Sequence, residues 1–383
     1  MAERLLASVQ EVVKISPIEG ADRIEVATVL GWECVVPKGQ FKEGDLVVYF
    51  EIDSLIPYTE WSKFLWKDKA VINQEEARHR LKTMKLRGHI SQGLVQPLSI
   101  IPNKVANGFR MTYCVKVGDD VTKILNVIKY EPDMPANLRG NIKSRKVNWL
   151  RGKLYKYFPF FFKHRPTSTT FPPFLQKTDE TRVQSIPKIF DEIRGMDVYI
   201  TEKLDGTSVT YYLNGKEFGV CSRNFELQES KDNTYWQIAK EYDIKNKLKE
   251  YLKTTNYKGI AIQGEIIGEG IQKNPLGIKG KKLFIFNLYH INTKSYASFD
   301  ELKDFGKIME IPMVPILEHR ARVDMFWDVS KLIEMAKGNS VLNPKVKREG
   351  IVVRTMLDTY SHVMKGRMSF KAINNDYLLS GGE

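Results

Sequence analysis

The sequence predicts an α+β protein: a small β-barrel at the N-terminus, then a mixed α/β domain of antiparallel sheets flanked by helices. Three observations point there. Residues 4 to about 100 break into short β-rich runs separated by turn residues, residues 101–175 carry little periodicity, and from about residue 176 β-runs mix with helical patterns. The chain accordingly divides into a barrel over 1–100, a linker or insertion over 101–175, and the mixed domain over 176–383.

At 383 residues and 42% hydrophobic content, the chain can fill two ordinary cores. A formal charge of +13 favours a polyanionic partner, because a net positive field draws in phosphate backbones. Cys34, Cys114 and Cys221 form no paired motif, which excludes a zinc module and a disulfide framework and suits a reducing compartment. Met1 to Ser8 is no signal peptide, and no apolar run approaches the roughly 20 residues that span a bilayer. An intracellular protein of cytoplasm or nucleus, not secreted and without a membrane partner, is therefore expected; a monomer is the default.

The first strands are read at Leu5–Val9, Glu25–Val29, Cys34–Val36 and Leu46–Phe50, punctuated by Pro17 and Gly20, Gly31, Pro37-Lys38-Gly39 and Glu43-Gly44-Asp45. Strands at this spacing suggest a closed barrel. The segments Ile18–Ile24 and Gly44–Tyr49 resemble the OB-fold barrels of tRNA-binding domains. That resemblance implies single-stranded nucleic-acid binding by stacked rings in a basic groove, with Trp32, Tyr49, Tyr58 and Trp61 as rings and Arg80, Lys82, Lys85 and Arg87 as charge. Core packing is the competing reading for the rings.

In the middle segment, Lys143, Arg145, Lys146, Arg151, Lys153, Lys156, Lys163 and Arg165 are interleaved with Trp149, Tyr155, Tyr157, Phe158 and Phe160 to Phe162. So dense an apolar run is expected to pack on a neighbouring domain rather than to contact RNA directly. Pro166, Pro172 and Pro173 mark a linker, and the polar stretch Lys177–Gln184 leads to a helix near Lys188–Arg194.

The chemistry centres on Thr201–Ser208, where a strand runs into a tight turn and out into Val209–Leu213, holding Lys203 at the mouth of a sheet. A neutral lysine amine attacks phosphorus or carbonyl carbon, so such a site must discourage the ammonium form. Asp205 lies two residues on, able to hold a metal or its waters, and Gly206 lets the backbone turn close to a phosphate. Lys-x-Asp-Gly alone equally fits a charged surface hairpin.

Further elements narrow the choice. Cys221-Ser222-Arg223-Asn224 is a cationic turn, Asp232–Leu252 is expected to be helical, and Ile260–Glu265 is a strand ending in an acid. Leu283–Tyr289 is a buried strand with Phe284 and Phe286 on one face; Glu349–Arg354 and Met368–Ile373 add an acid and Lys371. A nucleophilic lysine, an arginine, two carboxylates, an aromatic face and a second lysine on separate β-elements are what a site for adenine, ribose, phosphate and metal requires.

The order Lys203-Leu204-Asp205-Gly206, Ser222-Arg223-Asn224, Gly264-Glu265, Phe284-Ile285-Phe286, Glu349-Gly350-Ile351-Val352 and Phe370-Lys371 resembles the covalent nucleotidyltransferase superfamily. Within it, the chain is most similar to ATP-dependent RNA ligases of the Naegleria and Deinococcus type, over residues 1–100 and about 175–380. The resemblance implies an OB-fold domain followed by a nucleotidyltransferase domain, an ATP-grasp-like ligase fold. It implies that Lys203 is adenylylated by ATP, that Arg223 and Glu265 contact ribose or phosphates, and that Phe286, or Phe284, stacks on adenine. Gly206 would line the nucleotide site, and Lys371 would neutralise the α-phosphate. Asp205, Glu349 and Glu265 would hold Mg2+ or Mn2+ through water. The partner implied is RNA with 5′-phosphate and 3′-hydroxyl ends, in a nicked duplex.

One departure stands out. The family's last motif often has lysines two residues apart, and Ser369 occupies the first position here, with Lys365 or Arg367 as substitutes. The rival readings are a DNA ligase, a capping guanylyltransferase, or an RNA-binding protein with an inactive nucleotidyltransferase domain.

Overall fold

The computed structural model describes residues 4–66, 71, 73–102, 104–106, 109–111, 114–131, 143 and 170–381. The N-terminal sheet is antiparallel, in the order β3-β2-β1-β4-β5, from β1 (Ala7–Pro17), β2 (Ile24–Val29), β3 (Trp32–Pro37), β4 (Leu46–Phe50) and β5 (Leu94–Pro97). Strand β1 is longer than expected because it serves two partners. Its first half pairs with β4 and its second with β2, with a register shift between Val12 and Lys14 where it passes from one to the other. A bulge of this kind bends a strand around a barrel corner, and Pro17 ends β1 rather than lying in the connection.

A ribbon of Ser54–Pro57, Arg78–Arg80 and Ile128–Lys129 adds Ile56 and Val127 to the same core as Val9, Val48 and Phe50. Trp32 and Tyr49 are fully buried in that barrel, and Trp61 stacks on Phe50 at 5.2 Å. These rings are spent on packing, which overturns the expectation that Trp32 and Tyr49 stack on bases; hydrophobicity wins where an aromatic falls on the inward face of a strand. The aromatic run of the middle segment lies outside the described residues. Of the basic and aromatic residues named in that run only Lys143 is described, and its Nζ reaches Glu226 at 3.0 Å and Glu217 at 3.2 Å.

The second domain is two sheets. One contains Thr181–Arg182 and four strands: β6 (Asp197–Lys203), β11 (Ile316–Arg322), β12 (Gly350–Thr355) and β13 (Ser369–Ile373), in the order Thr181–Arg182, β13, β12, β6, β11. The other is built on β7 (Thr207–Asn214), β8 (Glu217–Ser222), β9 (Gly259–Gly268) and β10 (Lys281–His290), in the order β8-β7-β9-β10 with a short strand at each edge. Helices α1 (Ile189–Ile193) and α5 (Val329–Ala336) back the first sheet; α2 (Thr234–Glu241), α3 (Ile244–Lys253) and α4 (Phe299–Ile308) back the second. The single helix expected over Asp232–Leu252 is thus two, broken at Asp243, whose φ of 49° is left-handed.

Alternation then decides what faces the cleft between the sheets. Ile200, Ile351, Val353 and Phe370 turn to the helices, so Thr201, Lys203, Arg354 and Lys371 turn the other way. On the second sheet Val209, Ile262 and Ile266 turn to the helices, leaving Glu265 and Gln263 on the cleft side. A register shift at Gln263 and Gly264 allows both Phe286 and Asn287 to reach that side.

The two domains are tied directly. Gly31 N donates to Gln184 O at 2.9 Å, Trp32 Nε1 donates to Ser185 Oγ at 3.3 Å, and that hydroxyl donates to Glu51 at 2.7 Å. A Cβ on Gly31 would lie 3.0 Å from both Gln184 Cα and the Val329 side chain, so the contact leaves no room for a larger residue.

Candidate active site

Lys203 is the last residue of β6 and pairs in register with Gly350, which places its side chain beside Glu349. The two charges meet at 2.7 Å. Burial alone would lower the lysine pKa, but Glu349, Glu265 and Asp205 outweigh it and hold the ammonium above its ordinary range. With protein groups alone Lys203 therefore keeps its proton, and the activation that a nucleophilic amine requires is not built from them.

The carboxylates carry the opposite strain. Burial, with Glu349 adding repulsion, pushes Asp205 up to about 6 even though Tyr377 donates a hydrogen bond to it. Glu265, on β9 opposite Ser208 and Phe284, is pushed up to about 8 by burial, with Glu349 and Asp205 adding to it. Acidic oxygens crowded together like this are the donor chemistry that Mg2+ or Mn2+ prefers, and a cation would relieve their repulsion. Among the described residues no group of three His, Cys, Asp or Glu side chains converges for direct chelation.

Lys371 lies on β13 opposite Val352, and its strand runs beside Thr181–Arg182 with Arg182 in register. Burial lowers Lys371 to about 7, and the cations Lys203 and Arg182 push the same way. Arg223, half-exposed after β8, pairs with Asp179. That aspartate is held below its ordinary range: burial opposes this, but Arg223, Lys371 and Lys129 outweigh it.

Phe284 is buried with Leu204, Ile267, Leu276 and Val314, whereas Phe286 is half-buried with the Arg354 guanidinium 5.5 Å from its ring centroid. Phe286 is the more accessible of the two. Gly206 has a packing reason for its identity: a Cβ there would sit 2.4 Å from Ile266 O.

Several side chains at this site carry no distinctive sequence pattern. Arg354 is buried and pairs with Glu180 at 3.0 Å. Arg367 donates to Asn287 at 2.7 Å, whose amide donates to Gln263 at 2.9 Å, whose amide donates to Gln176 O at 2.7 Å. Arg367, one of the two substitutes expected for the missing lysine, is thus bound into the cleft's polar floor, whereas Lys365 sits in a turn with a φ of 51°. Ser369 is buried, with no hydrogen-bond partner for its hydroxyl among the described residues. Arg182, Glu180 and Tyr377 likewise escape sequence reasoning; the polar stretch Lys177–Gln184, ahead of the first strand, is the signal that could have found the first two.

An RNA ligase family model matches residues 196–373, and an OB-fold domain model matches residues 6–98. No curated protein matches the chain. Among solved structures the chain is similar to those of Naegleria gruberi RNA ligase. An apo mutant is 35% identical, covering 99% of this chain and 98% of that one, with a TM-score of 0.79. A second mutant, with ATP and Mn, is 35% identical over 97% and 98%, with a TM-score of 0.79. The ligase with PPi is 36% identical over 98% of each chain, with a TM-score of 0.78. The barrel is accordingly an OB-fold domain, and the two-sheet domain has the fold of those ligases. No helix among the described residues is long and apolar enough to cross a membrane.

Proposed function

The chain belongs to the RNA ligase family, and on that premise we propose that it uses ATP to join 3′-hydroxyl and 5′-phosphate RNA ends, acting as a monomer on a nicked duplex. Lys203 Nζ attacks the α-phosphorus of ATP. A nitrogen–phosphorus bond forms, the bond from that phosphorus to the bridging oxygen breaks, and pyrophosphate leaves. Glu349 accepts a hydrogen bond from Lys203 Nζ at 2.7 Å and orients the amine.

Lys371, with Arg182 beside it, neutralises the α-phosphate, and Arg223 and Glu265 hold ribose or the reacting phosphates. Phe286 stacks on adenine, Phe284 being the alternative. Gly206 keeps the turn after Lys203 close against β9. Asp205, Glu265 and Glu349 would hold a hard divalent ion through water, and such an ion would offset their charge, lower the Lys203 pKa and stabilise charge on phosphate oxygens.

AMP then passes from Lys203 to an oxygen of the RNA 5′-phosphate. The 3′-hydroxyl attacks that phosphorus, the phosphodiester forms, and AMP departs. The observation that supports this most is the meeting of Lys203 with Glu349 at 2.7 Å, with Asp205 and Glu265 as the next charges around the amine.

The test is incubation with α-labelled ATP and Mg2+ or Mn2+, without RNA, followed by denaturing electrophoresis. An acid-labile adduct is expected with ATP. Labelling by GTP instead would move the chain to the capping class, and labelling by neither would favour an RNA-binding protein. Nicks flanked by RNA or by DNA strands then separate RNA ligase from DNA ligase.

A further inference from the structure

RNA sealing requires a surface that holds the polynucleotide, and Trp32 and Tyr49 do not supply it, since both are buried. A different part of the same domain has the required chemistry. Met84–Leu86 pairs with His89–Ser91 in a hairpin closed by Arg87 and Gly88, with φ values of 48° and 87°. Two positive φ angles at the centre of a two-residue loop make a type I′ turn, whose twist matches its strands, so the hairpin is preorganised.

Its charge is one-sided. From Ala77 to Gly118 the sequence has no Asp or Glu and eight Lys or Arg. Arg80 is neutralised by Asp53 at 2.6 Å, but Lys82, Lys85 and Arg87 are exposed and make no ion pair among the described residues. Beside them Met84 and Leu86 are 49% and 38% exposed.

Its position is also defined. Gln92 Nε2 donates to Thr83 Oγ1 at the foot of the hairpin, at 3.2 Å, and to Asn375 Oδ1 at 3.3 Å. Asn375 begins helix α6 (Asn375–Leu379), and Tyr377 of that helix bonds Asp205. The foot of the hairpin is therefore tied to the helix that also bonds Asp205.

We propose that this hairpin docks the RNA by its phosphate backbone, through Lys82, Lys85 and Arg87 and without reading bases. The proposal rests on the RNA ligase reading. It predicts binding that ignores sequence and weakens steeply with salt, because each phosphate contact releases counterions.

The test uses the full chain carrying Lys82→Gln, Lys85→Gln and Arg87→Asn together; asparagine tolerates the left-handed angle at 87, so the turn is kept. Binding to a labelled nicked RNA duplex is measured across a KCl series. The variant is expected to bind at least about tenfold more weakly at low salt, with the slope of log Kd against log salt smaller by about 2 to 3. Lys82→Arg with Lys85→Arg should retain wild-type affinity. Adduct formation from ATP without RNA serves as the folding control and should proceed at the wild-type rate. Unchanged affinity and slope would overturn the proposal, as would weaker binding with an unchanged slope. A wild-type protein that neither forms the adduct nor binds RNA would instead remove the ligase reading itself.

Discussion

Tyr377 donates a hydrogen bond to Asp205, fastening helix α6 to the turn that follows Lys203. Asn374 caps that helix by accepting from Asp376 N, which fixes the tyrosine's direction. The bond favours the charged carboxylate, opposing the burial that raises the Asp205 pKa.

Tyr377→Phe should therefore push the Asp205 pKa above about 6. The acid limb of the adenylylation rate should shift to higher pH, with the rate at pH 6 falling by more than the rate at pH 8. Rates of adduct formation between pH 5 and 9 check this, and an unshifted limb would dissociate Tyr377 from the carboxylate.

Lys203→Ala should abolish the labelled adduct. The variant should still seal RNA that already carries a 5′-adenylate, because that step needs no lysine nucleophile. Sealing of a pre-adenylated nick, with folding verified by circular dichroism, separates a carrier role from a wider one.

Glu265 gives a stability signature. Its folded pKa is raised to about 8, so its contribution is fully present below the ordinary carboxylate range and is lost as pH rises through that value. In protein stripped of divalent ions, Tm should fall between about pH 4.5 and pH 8. Glu265→Gln, which cannot ionise, should flatten that fall by about 2–4 °C. Parallel melting curves for the two proteins would count against the shift.

Ser185→Ala removes the acceptor for the Trp32 indole and the donor to Glu51 at the domain contact. Each bond contributes about 1 kcal/mol, more where a buried partner is left unpaired, so a loss of about 1–3 kcal/mol is expected. Urea denaturation measures it. Separation of one transition into two would show that this contact is what makes the domains unfold together.

The sequence is most informative where period-two alternation and chemistry coincide. Lys203, Glu265, Glu349 and Lys371 each sit at or next to a strand whose hydrophobic side is plain, so their facing follows from the pattern alone. Burial of Trp32 and Tyr49 is not legible in it, since a ring on a half-apolar strand reads alike whether it packs inward or binds a base. Asp243 conceals its helix break because a left-handed aspartate leaves the apolar spacing on either side almost intact. Arg182, Glu180 and Tyr377 join the site only through pairings between distant parts of the chain, which local pattern does not encode.

Thr181–Arg182 and β13 are the only parallel pair in their sheet among the described residues, and they lie far apart in the domain's sequence. Arg182 thus meets Lys371 only after the elements between them have been synthesised. Closing so large a loop is slow, and until it closes the sheet presents a bare edge on β13. On the proposed reading, a nascent chain would hold Lys203 early and Lys371 late, so nucleotide transfer to Lys203 would await the emergence of β13 from the ribosome.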